Sequence, residues 1–320
     1  MVTITTTYNE LTKLQYNNSI LTIGSFDGLH LGHKKILKSM NNIASNKINS
    51  NNKILITFDP HPYSILNSNI NNKYYLSESM DEKIYVLNKY FKSIIDVVII
   101  IKFDLELSKI SATNFFDKII KTFLPTDVVM GYDNGFGYKR EGNAKFLKDN
   151  YQTSNFDLHI IKPEQNDSST IISSTLIRKS INNGNINNAN LMLGRNYSIS
   201  GKVIKGQGLG KTIGYPTINI SLYNKSQIVP QRGVYFVNII IEKNIYKGMC
   251  NIGFRPTVTN NKEETIESHI FTVERNKDFY GKSVKILFIE YIREEKKFKN
   301  IKFLAKQLEE DKKYCLSIRD

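Results

Sequence analysis

The chain is 320 residues long, room for about two domains at roughly 150 residues each, and its 40% hydrophobic and 23% charged residues fit a globular protein and exclude a disordered one. Its 44 Lys+Arg against 30 Asp+Glu give a formal net charge of +14, but these charges are scattered through Asn- and Ile-rich sequence; charge alone suits nucleic acid, small polyphosphates or mere solubility and selects none of them. Two cysteines, Cys250 and Cys315, exclude a disulfide framework or four-thiolate metal site, no apolar run approaches the roughly 18 residues of a membrane helix, and the N-terminus lacks the pattern of an export signal, so a reduced, cytoplasmic chain is expected.

In chain order, the first half alternates apolar strands with amphipathic helices. Strands are expected at Ile20–Gly24, Lys53–Phe58, Asp96–Ile101, Asp127–Gly131 and Asp157–Ile161. Between them the spacing predicts helices over Leu31–Asn46, Asp81–Lys92, Ser111–Phe123 and Asn143–Tyr151. Strands apolar at consecutive positions are covered on both faces, so this half reads as a parallel sheet between helical layers. Ligands of such sheets sit at the carboxyl ends of the strands.

After about residue 195 the rhythm becomes β-rich. Tyr197–Ile204, Thr217–Ile220, Val234–Ile241, Tyr246–Ile252, Glu267–Val273 and Val284–Ile292 are short strand-like runs separated by Gly- and Asn-containing turns. A terminal helix follows, with Ile301, Leu304, Leu308 and Cys315 on one stripe. This half reads as a small antiparallel barrel or sandwich closed by a helix. The segment 181–195 is the expected seam, and the two cysteines read as core packing.

The first chemical constellation is Gly24-Ser25-Phe26-Asp27-Gly28-Leu29-His30-Leu31-Gly32-His33, where the first strand hands over to the first helix. Glycines admit close backbone approach, and a helix amino end offers N–H groups to phosphate. His30 and His33 stand at i and i+3, so both project toward that mouth and can stabilise charge built up during transfer. Zinc needs a third ligand, and none stands at a convincing spacing. In the second half, Gly206, Gly208, Gly210 and Gly214 form a glycine-rich loop with Lys211 as its charge. It is no Walker A loop, because position 205 is Lys and a Pro-Thr-Ile-Asn turn and strand follow. Thr217 and Asn219 alternate onto one side of an extended chain and offer oxygens to a hard cation.

The segment Gly24–His33 resembles the HxGH signature of nucleotidylyltransferases, in its flavin branch. Phe58-Asp59-Pro60-His61-Pro62, Gly131–Gly137 and Ser173-Ser174-Thr175-x-x-Arg178 follow in the same order. So do Gly233-Val234-Tyr235, Asn251–Thr257, Glu267-Ser268-His269-Ile270, Phe279–Lys282, Ile292–Phe298 and Leu308–Asp311. Together these resemble the bacterial bifunctional riboflavin kinase/FAD synthetase family over residues 15–315. Two departures stand out: Asn134-Gly135 replace the usual Phe-Arg pair, and Lys211 replaces an Arg, which keeps charge but loses bidentate geometry.

The resemblance implies a Rossmann-like α/β nucleotidylyltransferase domain over 1–184, making FAD from FMN and ATP with release of pyrophosphate. It implies a six-stranded antiparallel β-barrel riboflavin kinase domain with a C-terminal helix over 185–320, making FMN and ADP from riboflavin and ATP. Implied phosphate contacts are Gly24, Phe26, Asp27, Gly28, Gly32, Ser173, Ser174 and Thr175, with His30, His33 and Arg178 catalytic. In the kinase half Glu267 is the implied base, Thr217 and Asn219 the Mg²⁺ ligands, and Gly206, Gly208, Gly210, Lys211 and Gly214 the phosphate cover. Phe58, Pro60, Pro62, Asp133 and Arg293 are the implied flavin contacts, with a surface ion pair from Arg293 to Glu294 or Glu295 as the alternative. Nucleic-acid, membrane and obligate protein partners are not implied. Two other readings stay open on the residues alone: a nucleotidylyltransferase for another phosphorylated acceptor with a degenerate kinase half, and a basic nucleic-acid-binding protein.

Overall fold

The computed structural model describes residues 1–47, 52–66, 75–76, 79–166, 169–206, 208–256, 262–272 and 278–318; for Leu209, Lys211, Arg255, Pro256, Lys262 and Glu263 the backbone alone is described. By contacts the chain forms two units, one of the described residues through Ser173 apart from Tyr75 and Leu76, the other of those two with Ser174 onward.

The first unit runs β1 (Val2–Thr6), β2 (Ser19–Ile23), α1 (Leu31–Ser45), β3 (Asn52–Asp59), α2 (Pro62–Leu66), α3 (Met80–Phe91), β4 (Val97–Lys102), α4 (Ala112–Phe123), β5 (Pro125–Gly131), α5 (Ala144–Asn150) and β6 (Asp157–Ile161). Its sheet is six-stranded in the order β1-β4-β3-β2-β5-β6, with every pairing parallel. Side chains alternate between two cores, as strand geometry requires. Leu21, Ile23, Ile54, Ile56, Ile99 and Val128 join Phe115, Phe116 and Ile119 of α4 on one face. Ile20, Leu55, Val98 and Val129 join Leu37 of α1 and Leu87 of α3 on the other. Consecutive apolar residues therefore do read as a sheet covered on both sides. Ser79, Ser111 and Asn143 accept from the third backbone N–H beyond them and so start α3, α4 and α5. The strand β1, an addition to the expected set, is polar and half-exposed and pairs with β4 at the sheet edge.

The second unit runs α6 (Ser174–Asn182), α7 (Ile186–Leu193), β7 (Tyr197–Ile204), α8 (Leu209–Thr212), β8 (Thr217–Leu222), β9 (Gly233–Ile241), β10 (Asn244–Pro256), β11 (Lys262–Ile270), β12 (Ser283–Arg293) and α9 (Ile301–Ser317). Its strands close into a barrel in the order β10-β11-β8-β7-β12-β9, antiparallel throughout. Much of the expected seam is the helix α7, capped by Asn185 at its start and by Gly194 in left-handed conformation at its end. Asn190 docks it on the barrel: its amide donates to the Phe288 carbonyl at 2.9 Å, and its oxygen accepts from the Tyr197 N–H at 2.6 Å. The strand β11 starts before Glu267 and ends at Ile270; Val273, the expected end, lies outside the described residues. On α9, Cys315 is buried, but Ile301, expected on the same stripe, is exposed. Burial pushes the thiols of Cys250 and Cys315 up to about 12, as suits core packing.

Candidate functional site

Chain connections leave β2 for β3 on one side and later return to β5 on the other, so the carboxyl ends of β2 and β5 flank the topological switch of the sheet. The first constellation lies there. Beyond β2 the chain turns through Phe26 (φ 47°) and Gly28 (φ 76°), both left-handed, then enters α1 with His30 at its N-cap. The His30 and His33 rings stack with centroids 3.7 Å apart and planes 22° apart, and Phe26 packs on His33 at 5.1 Å. Asp27 and His30 are buried, and a Cβ at Gly32 would come within 3.1 Å of the His30 ring. The arrangement sets two imidazoles on the amino end of a 15-residue helix, whose free N–H groups and dipole favour an anion. Phe26, an expected phosphate contact, keeps its ring in the core, so contact with phosphate would fall to its backbone.

Across the switch, the residue that departs from the family pattern is structural. Asn134 donates to the Ile23 carbonyl at 2.9 Å and ties the loop after β5 to the end of β2. Asp133 is exposed, and its carbonyl accepts from Arg140 at 2.9 Å. A Cβ at Gly135 would come within 2.9 Å of the Arg140 guanidinium, so the second departure makes room for that side chain. Beside them opens a cavity of about 620 Å³, lined by Tyr132, Asp133, Arg140, Lys145 and Lys148 among others.

At the end of β3, Phe58 is buried and packs on Phe103 and Phe115 at 5.7 and 6.2 Å. Its ring belongs to the core, whereas Pro60 and Pro62 remain half-buried, Pro60 two residues ahead of α2 and Pro62 its first residue. Ser173 precedes α6; Ser174 and Thr175 are its first residues, and Arg178 lies one turn on.

In the barrel, register brings distant residues to one face. Glu267 is paired with Asn219 on β8 and with Asn251 on β10, and Thr217 is paired with His269. Opposed and alternate residues share a face, so Thr217, Asn219, Asn251 and Glu267 form one polar cluster. The Thr217 hydroxyl donates to the Glu267 carboxylate at 3.4 Å, and Asn219 is buried. Two glycines of the loop meet this cluster: a Cβ at Gly206 would overlap the Asn219 amide, and one at Gly210 would overlap the Tyr215 carbonyl and come within 3.6 Å of the Thr217 methyl. Gly208 and Gly214 have positive φ, and the single helical turn α8 sits between them, a feature the glycine spacing does not announce. The Lys211 side chain lies outside the described residues.

His269 is a member of this face that its sequence context does not single out. It donates from Nδ1 to the Pro216 carbonyl at 2.8 Å and packs on Tyr215, bracing the glycine loop against β11. Burial holds its imidazole below the ordinary histidine range. Arg293 finds its ion-pair partner in Asp311 and not in the neighbouring Glu294 or Glu295. Nε and Nη2 bind the buried Asp311 carboxylate at 2.6–3.0 Å, and Nη1 donates to the Glu294 carbonyl at 2.9 Å. The guanidinium thus fastens α9 to the end of β12.

Asp127, Asp157 and His159 could together hold a metal at the amino ends of β5 and β6, away from the strand ends described above. Asp127 is already bonded to Lys47, Thr126 and His159, and these bonds hold its carboxyl below the usual range although burial pushes it up. That cluster is an internal ion pair.

Comparison with known proteins follows the two units. The family model described as FAD synthetase matches residues 12–176, and the one described as riboflavin kinase matches 193–318. A bifunctional riboflavin kinase/FMN adenylyltransferase of Bacillus subtilis is 33% identical over 96% of this chain and 95% of its own length. One from Buchnera aphidicola (subspecies Schizaphis graminum) is 37% identical over 92% of each chain. A solved structure titled as a macrolide-efflux protein of Streptococcus pneumoniae covers 100% of both chains with a TM-score of 0.87 and 26% identity. Among the described residues of the present chain no helix is long and apolar enough to cross a membrane. By the two matched models, in this order, and by relatives aligned over nearly their full length, the chain belongs to the bifunctional riboflavin kinase/FMN adenylyltransferase family.

Proposed function

We propose that this chain makes FMN from riboflavin and ATP in its barrel unit, and FAD from FMN and a second ATP in its sheet unit. One observation carries the reading: each family match falls on a unit that has built its own polar cluster at the matched motifs, stacked imidazoles at a helix amino end in one and the Thr217–Glu267 face in the other.

In the barrel, Glu267 takes the proton of the ribityl 5′-hydroxyl as its oxygen attacks the γ-phosphorus, and ADP leaves. The glycine loop covers the phosphates, so catalysis rests on positioning and charge neutralisation. The neutral oxygens of Thr217 and Asn219 beside the Glu267 carboxylate are the hard donor set that suits Mg²⁺. Bound there, the ion would neutralise phosphate charge. Arg293, fixed by Asp311 at the end of β12, is assigned to orienting the flavin.

In the sheet unit an FMN phosphate oxygen attacks the α-phosphorus of ATP, and pyrophosphate leaves. His30 and His33, the backbone of Gly24–Gly28 and Gly32 stabilise the transferring and leaving phosphates. Ser173, Ser174, Thr175 and Arg178 have the same assignment from their hydroxyl and guanidinium chemistry. Pro60, Pro62 and Asp133 are assigned to the flavin, Phe58 only as the floor beneath them. The free buried thiols of Cys250 and Cys315 accord with a reducing, cytoplasmic setting.

The division of labour is tested by Glu267→Gln. The variant should lose riboflavin phosphorylation yet convert supplied FMN to FAD at the parent rate. Loss of neither activity, or of both in a folded protein, would remove Glu267 as the base.

A further inference from the structure

Lys83 is buried in the first unit, yet it is a lysine. From α3 its ammonium donates to the Ser25 carbonyl at 2.7 Å and lies 3.4 Å from the Thr57 hydroxyl, which itself donates to the same carbonyl at 3.2 Å. Ser25 follows the end of β2 and Thr57 lies near the end of β3, so one cation joins both strand ends to the helix behind them. Asp27, in the turn before His30, and Asp59, at the end of β3, are its electrostatic partners.

Enclosing an ammonium is expensive, and an apolar side chain of similar length would fill the space at lower cost. Burial accordingly drives the Lys83 ammonium toward its neutral form, while Asp27 and Asp59 oppose this. What the charge does locally is visible in the backbone. The carbonyl and N–H of a trans peptide point in opposite directions. Drawing the Ser25 carbonyl onto Lys83 therefore turns the Phe26 N–H away from α3. Phe26 itself holds a left-handed conformation (φ 47°, ψ 39°), unfavourable for a bulky residue and kept only where the surroundings fix it.

We propose that Lys83 is a positioning residue for adenylyl transfer: by holding the Ser25 carbonyl it keeps the turn 24–30 in the shape that presents its backbone N–H groups and His30 to the phosphates of ATP. Lys83 touches no substrate, so its effect falls on turnover and not on affinity for FMN.

This inference rests on the adenylyltransferase reading, and the wild-type chain separates the two: if wild type makes no FAD from FMN and ATP, that reading fails first. Given an active wild type, kcat and KM for FMN adenylylation are measured in Lys83→Met and Lys83→Arg, with riboflavin phosphorylation by the same chains as the folding control. The Met variant should lose about a hundredfold in kcat, keep KM for FMN within about twofold, and phosphorylate riboflavin normally. The Arg variant, which keeps the charge and its donors, should recover part of kcat. A Met variant with wild-type kcat, one impaired only in KM, or one whose two activities fall together would overturn the proposal, as would an Arg variant no better than Met.

Discussion

His30 and His33 lie face to face, their ring centroids 3.7 Å apart, at the first turn of α1. Stacking makes each ring a wall for the other, and Phe26 packs on His33 as well. Removing one ring therefore takes away a donor and loosens its neighbour. Replacing His30 by Ala should lower the conversion of FMN to FAD by about a hundred- to a thousandfold, the usual effect of deleting one preorganised donor. Riboflavin phosphorylation should be unchanged, so FMN should accumulate when riboflavin and ATP are supplied. Chromatography of the flavins checks this, and undiminished FAD would place His30 outside the chemistry.

Gly206 and Asn219 make the corresponding contact in the barrel. No side chain fits at Gly206 without displacing the Asn219 amide, which lies beside Glu267 through the β8–β11 register. Gly206→Ala should lower kcat/KM for riboflavin phosphorylation by about tenfold or more, with FMN adenylylation untouched. Steady-state assays of both reactions on the one variant decide it.

His269 gives the barrel a pH dependence of stability. Burial, with a smaller contribution from Lys312, lowers its pKa from the ordinary 6.5, against the opposing bond to Pro216. Below pH 6.5 the unfolded chain takes up a proton that the folded one resists, so stability falls with pH in that window. One such group contributes at most about 1.4 kcal/mol per pH unit. Urea unfolding followed in the barrel should show that loss between pH 6.5 and the lowered value, and His269→Gln should flatten it. Parallel curves for variant and parent would exclude the histidine.

Much of the fold is legible in the chain because its signals are local. The apolar runs of β2–β5 alternate between two cores, and the Ser111 and Asn143 caps fix helix starts within one residue. The misses share the opposite property. Val2–Thr6 is a polar edge strand whose stability comes from pairing with β4, not from its own pattern. The helix α7 is Asn-rich, and what anchors it is the long-range bonding of Asn190 to β7 and β12. In sequence the ion-pair partners on offer to Arg293 are its neighbours Glu294 and Glu295, because Asp311 reaches it only once α9 folds back. Lys83 sits in an ordinary amphipathic helix, where a lysine reads as solvated, and its burial depends on Ser25 and Thr57 from two other elements. The motif residues, by contrast, stand together as their spacing suggests: His30 with His33, and Thr217 and Asn219 with Glu267 once register is added.

Two ATP-dependent steps in one polypeptide are most directly tested by incubating the purified wild-type chain with riboflavin, ATP and Mg²⁺ and resolving the flavins over time. FMN should appear first and FAD after it, with ADP and pyrophosphate released one per step. A reaction in which riboflavin stays unmodified, or in which FMN forms and is never adenylylated, would contradict the pairing of activities.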